Sequence, residues 1–428
     1  MDRTERRIVK AKGSHRGRKL LVLDTAHTLE MVRERGLEVP IVSRDLDGYF
    51  DHVWSVHPFA TLLTSEEWGP RFGRPDSYDF ASRHTVIEGK VGRHRALKHV
   101  FPLNFLLGQL DLLMHLHRLI RREKISAVRV TSPLYIGLFG WLLSRLSRIP
   151  LVIHVGGNHD KMFETTGLSQ EPRLMRSRKV EKMVERFVFS RAELIAGANQ
   201  DNLDFALANG APADRTTLFR YGNLLHSAHL TDPAQRVGDD RYLGELGITR
   251  GQFLLYVGRL EPVKHPDHVV EVLARVRSRG FDVKAVLAGE GRMHGQLLDQ
   301  ARRLGVAESV IMPGNISQEH LADLFAAAGA VVSPHTGRAL SEAAFAAAPV
   351  AAYDLDWQSE LITDGVTGYL VPHEAVDRLA DGVERLLRDP SGAARLGAAL
   401  RAKAREMLDP ERLNAHECAI FTQLLADQ

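Results

Sequence analysis

Short apolar runs alternate with amphipathic stretches along most of this 428-residue chain, a pattern of strands joined by helices. In the amino half the pattern predicts strands at Lys19–Asp24, Val39–Ser43, Ala127–Thr131, Ile149–His154, Glu193–Gly197 and Thr216–Phe219. Helical spacing marks Pro102–Lys124, Leu134–Leu143 and a charged stretch from Arg173 to Phe189. Short connections between residues 127 and 154 favour a parallel strand–helix–strand crossover. Tyr221, Gly222 and Asn223 read as an exit turn, and residues 226–250 lack an apolar period and read as a link.

Alternation resumes with apolar runs at Phe253–Val257, Val283–Leu287 and Ala330–Val332. Two surface helices are expected at 376–387 and 392–407, and Asp409-Pro410 breaks the chain before a terminal helix. The predicted architecture is α/β, divided into a basic tail (1–18), an amino-terminal domain (19–225), the link (226–250), a carboxyl-terminal domain (251–408) and a closing helix (409–428).

Chemistry gathers at three strand ends in the carboxyl half. Phe253–Val257 runs into Gly258, Arg259 and Leu260, with Lys264 five residues after the arginine. Val283–Leu287 is followed by Ala288, Gly289, Glu290 and Gly291. Ala330–Val332 leads through Ser333, Pro334, His335, Thr336, Gly337, Arg338 and Ala339 to Glu342. Ligands of open α/β sheets collect at the carboxyl ends of strands, and cations beside helix starts favour phosphate.

Six motifs stand in one order: Val257-Gly258-Arg259-Leu260 with Lys264, Gly289-Glu290-Gly291, Ser333-Pro334, Glu342-Ala343-Ala344, Pro349-Val350, and Asp364 to Val371. This order resembles the retaining glycosyltransferases of family 4, also called group 1. The resemblance implies the GT-B fold, in which two Rossmann-like domains face a cleft and the carboxyl-terminal helix crosses back to the amino-terminal domain. It implies transfer of a hexose-type sugar from a nucleoside diphosphate, UDP or GDP, to an acceptor hydroxyl with retention. It assigns Arg259 and Lys264 to the leaving diphosphate and Glu342, read as lying in the first turn of its helix, to the ribose hydroxyls. Gly258, Gly289, Gly337, Arg338, Ala339 and Glu360 complete the expected donor side. Enzymes of this fold generally work without a bound metal, so neither a metal nor a cofactor is expected.

The chain departs from the family in two places. The first glutamate of the family's pair is missing, since Pro334 stands eight residues before Glu342, and the loop is the compact 335–338. Paired glycines are replaced by a segment containing Asp354 and Asp356, and two carboxylates at that spacing are a weak magnesium signal. On the acceptor side the usual histidine falls at Gly156. Gly157, Asn158, His159 and Asp160 remain candidates there, Asp160 for catalysis, against a bland reading in which Asn158 and Asp160 cap the next helix. Rival readings of the same fold are a nucleotide-sugar epimerase, a phosphorylase, or a non-catalytic nucleotide-sugar-binding partner protein.

Composition adds limits. Apolar residues make up 44% and charged residues 25%, values of a globular protein, and the net charge is +3. Eight Lys/Arg fall in the first nineteen residues, a tail read as solvated, with anionic lipid or nucleic acid as its alternative partners. Basic residues do not interleave with aromatics, which argues against nucleic acid. The single cysteine, Cys418, excludes a disulfide framework, which fits the cytoplasm. Leu134–Leu143 is about half the length of a membrane span, and the basic end of Pro102–Lys124 suits either a helix dipole or docking at the inner face of a membrane.

Overall fold

The computed structural model describes residues 17–35, 38–221, 225–236, 240–335 and 337–426. It divides into two compact units, residues 1–220 with 411–428 and residues 221–410. Most of the basic tail, the turn residues Gly222 and Asn223, and Thr336 lie outside the described residues. The tail's expected end at residue 18 is too late. Gly17 N–H already donates to Asp51, and the Arg18 guanidinium stacks 4.6 Å from the ring centre of Tyr49.

The first unit is built on an eight-stranded sheet: β1 Lys19–Leu23, β2 His52–His57, β3 Asp76–Ala81, β4 His84–Glu88, β5 Ala127–Val130, β6 Leu151–Val155, β7 Leu194–Gly197 and β8 Thr216–Leu218. Its order is β3-β4-β2-β1-β5-β6-β7-β8, parallel throughout except for β3 against β4. Buried parallel strands read as continuous apolar runs, which is why β1, β5, β6 and β7 were visible in the sequence. The expected strand at Val39–Ser43 is a correction: it is a short helix, α2 Val39–Val42, following α1 Leu29–Arg35. Pro40 explains the change, because its fixed φ suits the first turn of a helix. The true second strand, β2, hides its pattern behind two buried polar residues, Ser55 and His57.

Helix α3 Phe101–Glu123 begins with Pro102 in its first turn and stops at Lys124, whose left-handed φ of 55° ends the helical path. It packs with α4 Tyr135–Ser147 over the sheet. The long helix expected from Arg173 starts later, as α6 Arg178–Phe189, because the Ser177 side chain accepts the Val180 N–H as its N-cap. Helix α5 His159–Thr166 lies between β6 and α6, and α7 Gln200–Ala208 follows β7.

The second unit carries six parallel strands: β9 Phe253–Val257, β10 Lys284–Ala288, β11 Val310–Gly314, β12 Ala330–Ser333, β13 Val350–Asp354 and β14 Tyr369–Pro372. Their order is β11-β10-β9-β12-β13-β14. The segment 226–250, read as a link, belongs to this unit and holds α8 Ser227–Leu230 and α9 Arg241–Glu245. Isolated apolar side chains and polar contacts anchor it: Leu243 and Ile248 are buried in the unit's core, Arg236 pairs with Asp323 at 2.7 Å and His229 bonds Gln318 at 3.0 Å. Helices α10 Pro266–Ser278, α11 His294–Arg303, α12 Gln318–Ala327, α13 Arg338–Phe345, α14 Gln358–Leu361, α15 Val376–Arg388 and α16 Pro390–Leu408 complete the unit.

The last helix, α17 Pro410–Ala426, returns to the first unit as the resemblance implied. Phe421 is fully buried between Phe50 and Phe219, and buried Glu417 pairs with Arg129 at 2.7 Å. Truncating a buried phenylalanine of this kind costs about 3–5 kcal/mol.

Candidate functional site

In each sheet the chain reverses its direction of progress once. In the second unit it builds outward through β9, β10 and β11, then crosses to the other side for β12, β13 and β14. The switch point lies between β9 and β12, where the loops leaving two adjacent strands diverge and open a crevice. Lys264 lies in the loop after β9, and His335, Gly337, Arg338 and Glu342 follow β12, so the sequence-assigned donor residues flank this point.

Backbone contacts set the first loop. Gly289 has φ 141°, and a Cβ there would stand 2.1 Å from the Gly258 carbonyl; a Cβ on Gly291 would stand 2.3 Å from that of Leu260. The glycines after β10 therefore let its exit loop lie directly on the loop carrying Arg259, and Leu260 N–H donates to the Glu290 carbonyl at 2.9 Å. Beneath, the buried Tyr256 hydroxyl donates to the Arg259 carbonyl at 2.9 Å. Arg259 itself is exposed at the strand end.

Lys264 is half-buried, and its Nζ donates to His335 Nδ1 at 2.9 Å. This bond joins the loops on the two sides of the switch point. Burial, with Arg259 nearby, holds the ammonium down at about 8, against an opposing pull from Asp356. Helix α13 starts after Gly337, whose φ of 168° is ordinary extended backbone and whose Cβ position is open space. Arg338 is exposed and Ala339 partly buried at the helix start.

Glu342 is the fifth residue of α13, beyond the first turn in which the sequence reading had placed it. The dipole effect falls off within the first turn, so a simple helix-start role does not account for this carboxylate. It is 4% exposed, makes no hydrogen bond among the described residues, and has His229 Nε2 at 4.0 Å as its nearest partner. Burial raises it to about 7 against an opposing pull from Arg338, and burial lowers His229 to about 4. The pair is therefore largely uncharged near pH 6, and among the described residues the Glu342 carboxyl has its hydrogen-bonding capacity unspent. Gln358, fully buried in α14, was not singled out in the sequence; its Nε2 donates to the Ser333 carbonyl at 2.8 Å and fixes the exit of β12. Glu360, in the same helix, is partly buried.

The amino-side candidates have a different fate. Asn158 is the N-cap of α5, its Oδ1 accepting from the N–H groups of Asp160 and Lys161 at 3.1 Å. His159 is buried with Nδ1 2.7 Å from Glu185. Asp160 accepts from Arg178 at 3.0 Å and Asn209 at 2.9 Å, and pairs with Lys182 at 2.9 Å. Burial alone would raise its carboxyl, but these partners overcome it and hold the group down at about 2. The geometry corrects the catalytic reading of Asp160: a carboxylate so held is a poor proton acceptor, and its lone pairs are committed to tying α5 to α6. Gly156 and Gly157 remain accessible at the end of β6.

A second cluster was missed. At the carboxyl ends of β1 and β2 a recess is lined by Asp24, His27, Arg44, Ser55 and His57. Asp24 bonds Arg44 and lies 2.8 Å from His27 Nδ1, while His57 Nε2 is buried without a partner. Burial lowers His57 to about 4. An aspartate ending a strand with a histidine three residues on was the available signal. The misread strand at 39–43 and the unread β2 kept Arg44 and His57 from joining it.

Comparison with known proteins fits this geometry. Residues 241–406 match the family model of glycosyl transferases group 1, and residues 23–222 match that of the glycosyl transferase 4-like domain. The chain is 27% identical over 415 residues to D-inositol 3-phosphate glycosyltransferase of Nocardia farcinica, covering 92% of this chain and 81% of that protein. It is 27% identical over 260 residues to alpha-D-kanosaminyltransferase of Streptomyces kanamyceticus, covering 59% of this chain and 65% of the relative. Among solved structures, Anabaena HepE in complex with UDP and glucose aligns with a TM-score of 0.67 at 18% identity, over 95% of this chain and 99% of that one. Sucrose-phosphate synthase from Thermosynechococcus elongatus aligns with a TM-score of 0.71 at 18% identity, over 96% and 100%. With a family model on each half, two parallel-sheet units and full-length structural likeness, the chain belongs to the group 1 glycosyltransferases and has the GT-B fold.

Proposed function

We propose that this chain transfers a sugar from a nucleoside-diphosphate donor to an acceptor hydroxyl with retention of anomeric configuration, using no metal at the reacting centre. The observation that carries the reading is Glu342, buried after β12 with a carboxylate that makes no hydrogen bond among the described residues. A vicinal diol satisfies such a group by donating two hydrogen bonds, and the ribose of a nucleotide presents one. Arg259, Lys264 and Arg338 then supply cations for the diphosphate, with Gly258, Gly289, Gly337, Ala339 and Glu360 shaping the surrounding loops. As the glycosidic bond breaks, charge grows on the departing phosphate, and fixed cations stabilise it more in the transition state than in the ground state. That phosphate accepts the acceptor's proton on the face it leaves, so no protein nucleophile is required. UDP is the first donor base to test, because Anabaena HepE carries UDP; GDP is the second.

The first unit is assigned to the acceptor, with accessible Gly156 and Gly157 and the buried polar recess from Asp24 to His57 as its candidate groups. A lipid-linked acceptor is favoured by α3. Leu103, Leu106, Leu110 and Met114 form one exposed apolar stripe, followed by exposed Arg118, Arg121 and Arg122. That combination suits an anionic bilayer surface. Among the described residues no helix is long and apolar enough to cross a membrane.

Thermal stabilisation by UDP, GDP, ADP and TDP tests the donor site. A ligand at a hundred times its dissociation constant adds about 2.7 kcal/mol of apparent stability. The expected result is a shift for one diphosphate that Lys264→Ala and Glu342→Gln both abolish. A shift for none of the four would sink the donor reading.

A further inference from the structure

The loop that carries Lys264 ends at His265, whose φ of 49° turns the chain into α10. Around this histidine the fold collects metal-capable groups from three places. Potential ligand atoms of His265, Asp267 and His268 lie within 4.8 Å of one another, and so do those of His265, His373 and Glu374. His373 and Glu374 follow β14, so residues more than a hundred positions apart converge on one imidazole. Neither His265 nor His373 has a hydrogen-bond partner on a ring nitrogen among the described residues, and His373 Nε2 is buried.

Ring geometry separates the two triads. The His265 and His373 ring centres are 5.2 Å apart at 74°, whereas His265 and His268 stack at 4.7 Å and 24°. Two imidazoles on one tetrahedral ion, at Zn–N of about 2.0–2.1 Å, have ring centres about 5 Å apart and need not stack. The ring of His268 is already anchored, with Nδ1 3.0 Å from the Tyr353 hydroxyl.

We propose that His265, His373 and Glu374 form a binding site for a single transition-metal ion of the Zn2+ class, with a fourth position open to water. Two imidazoles and one carboxylate select such an ion over Mg2+ or Ca2+. The ion takes no part in transfer. It staples the loop bearing Lys264 to the loop after β14, and so restrains the position of that lysine. The inference does not rest on the donor reading, because metal binding is measured with neither donor nor acceptor present.

The test titrates the tag-free, chelator-stripped full chain with Co2+ and then with Zn2+. One Co2+ per chain is expected, with the visible absorption of a tetrahedral site that Zn2+ bleaches. His373→Ala and His265→Asn should each weaken binding by at least about tenfold. Asparagine is chosen at 265 because it tolerates positive φ. Unchanged circular dichroism shows that both variants remain folded, and His268→Ala should keep the Co2+ spectrum. Absence of saturable binding, or binding that survives both substitutions, overturns the proposal. Binding lost in His268→Ala but kept in His373→Ala also overturns it, by moving the ion to the other triad.

Discussion

Asp160 and Glu342 each lie on a helix that follows a parallel strand, and each was singled out for chemistry. Their surroundings are opposite. Asp160 is met by two cations and an amide and is held at about 2, while the Glu342 carboxylate has no hydrogen bond among the described residues and is raised to about 7. The first has its interactions satisfied within the protein and contributes to stability. The second is destabilising until something outside the protein satisfies it. A buried group left short of partners is the more informative sign of a binding site, because folding alone gives no reason to keep it.

The strongest test of this contrast removes charge at the switch point. Lys264→Ala should lower turnover by about 10²–10³-fold at saturating donor, the cost of losing one stabilising group at a developing charge. Steady-state kinetics with the donor found by thermal shift would show it; a change in KM alone would place Lys264 outside the transition state.

The next test exploits the sign of linkage. The pKa of Glu342 is higher in the folded chain than in the unfolded one. The folded state therefore binds the extra proton between about 4.5 and 7, and stability falls as pH rises through that window. Glu342→Gln should accordingly stabilise the unliganded protein at pH 8, by on the order of 2–3 kcal/mol. Nucleotide stabilisation should vanish in the same variant. Denaturant melts at pH 5 and pH 8 read both effects, and a loss of stability at pH 8 would mean that Glu342 serves the fold.

Asp160→Asn should do the reverse, destabilising by about 1–3 kcal/mol as Arg178 and Lys182 lose a partner. Because its folded pKa is depressed, this contribution is present above about 3.8 and fades as pH falls towards 2. In urea melts the difference between wild type and variant should therefore be full at pH 7, shrink by about half at pH 3 and close only near pH 2 or below.

The smallest expected change in stability comes from the exposed face of α3. Leu106→Glu combined with Leu110→Glu should alter stability by no more than about 0.5 kcal/mol per site. Cosedimentation with anionic vesicles should fall sharply in that variant. Equal cosedimentation of wild type and variant would remove the membrane from the acceptor reading.

The sequence by itself determined the alternation of strands and helices, the central strands and the order of the donor motifs. Buried parallel strands are continuous apolar runs, and phosphate-binding loops need glycine and cations at fixed offsets, so both leave local marks. Where a local rule was ambiguous the reading failed: Pro40 turned an apolar run into a helix start, and β2 was masked by Ser55 and His57. Residues 226–250 join the second unit through scattered anchors, buried Leu243 and Ile248 with polar contacts to α12, which make no apolar period. Tertiary structure alone decided which charges are spent. Asp160 is satisfied because α6 and α7 deliver Arg178, Lys182 and Asn209, whereas among the described residues Glu342 has His229 at 4.0 Å and no hydrogen bond to its carboxylate. The meeting of His265 with His373 likewise depends on β9 and β14 belonging to one sheet. Partners so distant in sequence are joined by the three-dimensional path of the chain, and no periodicity or spacing records that path.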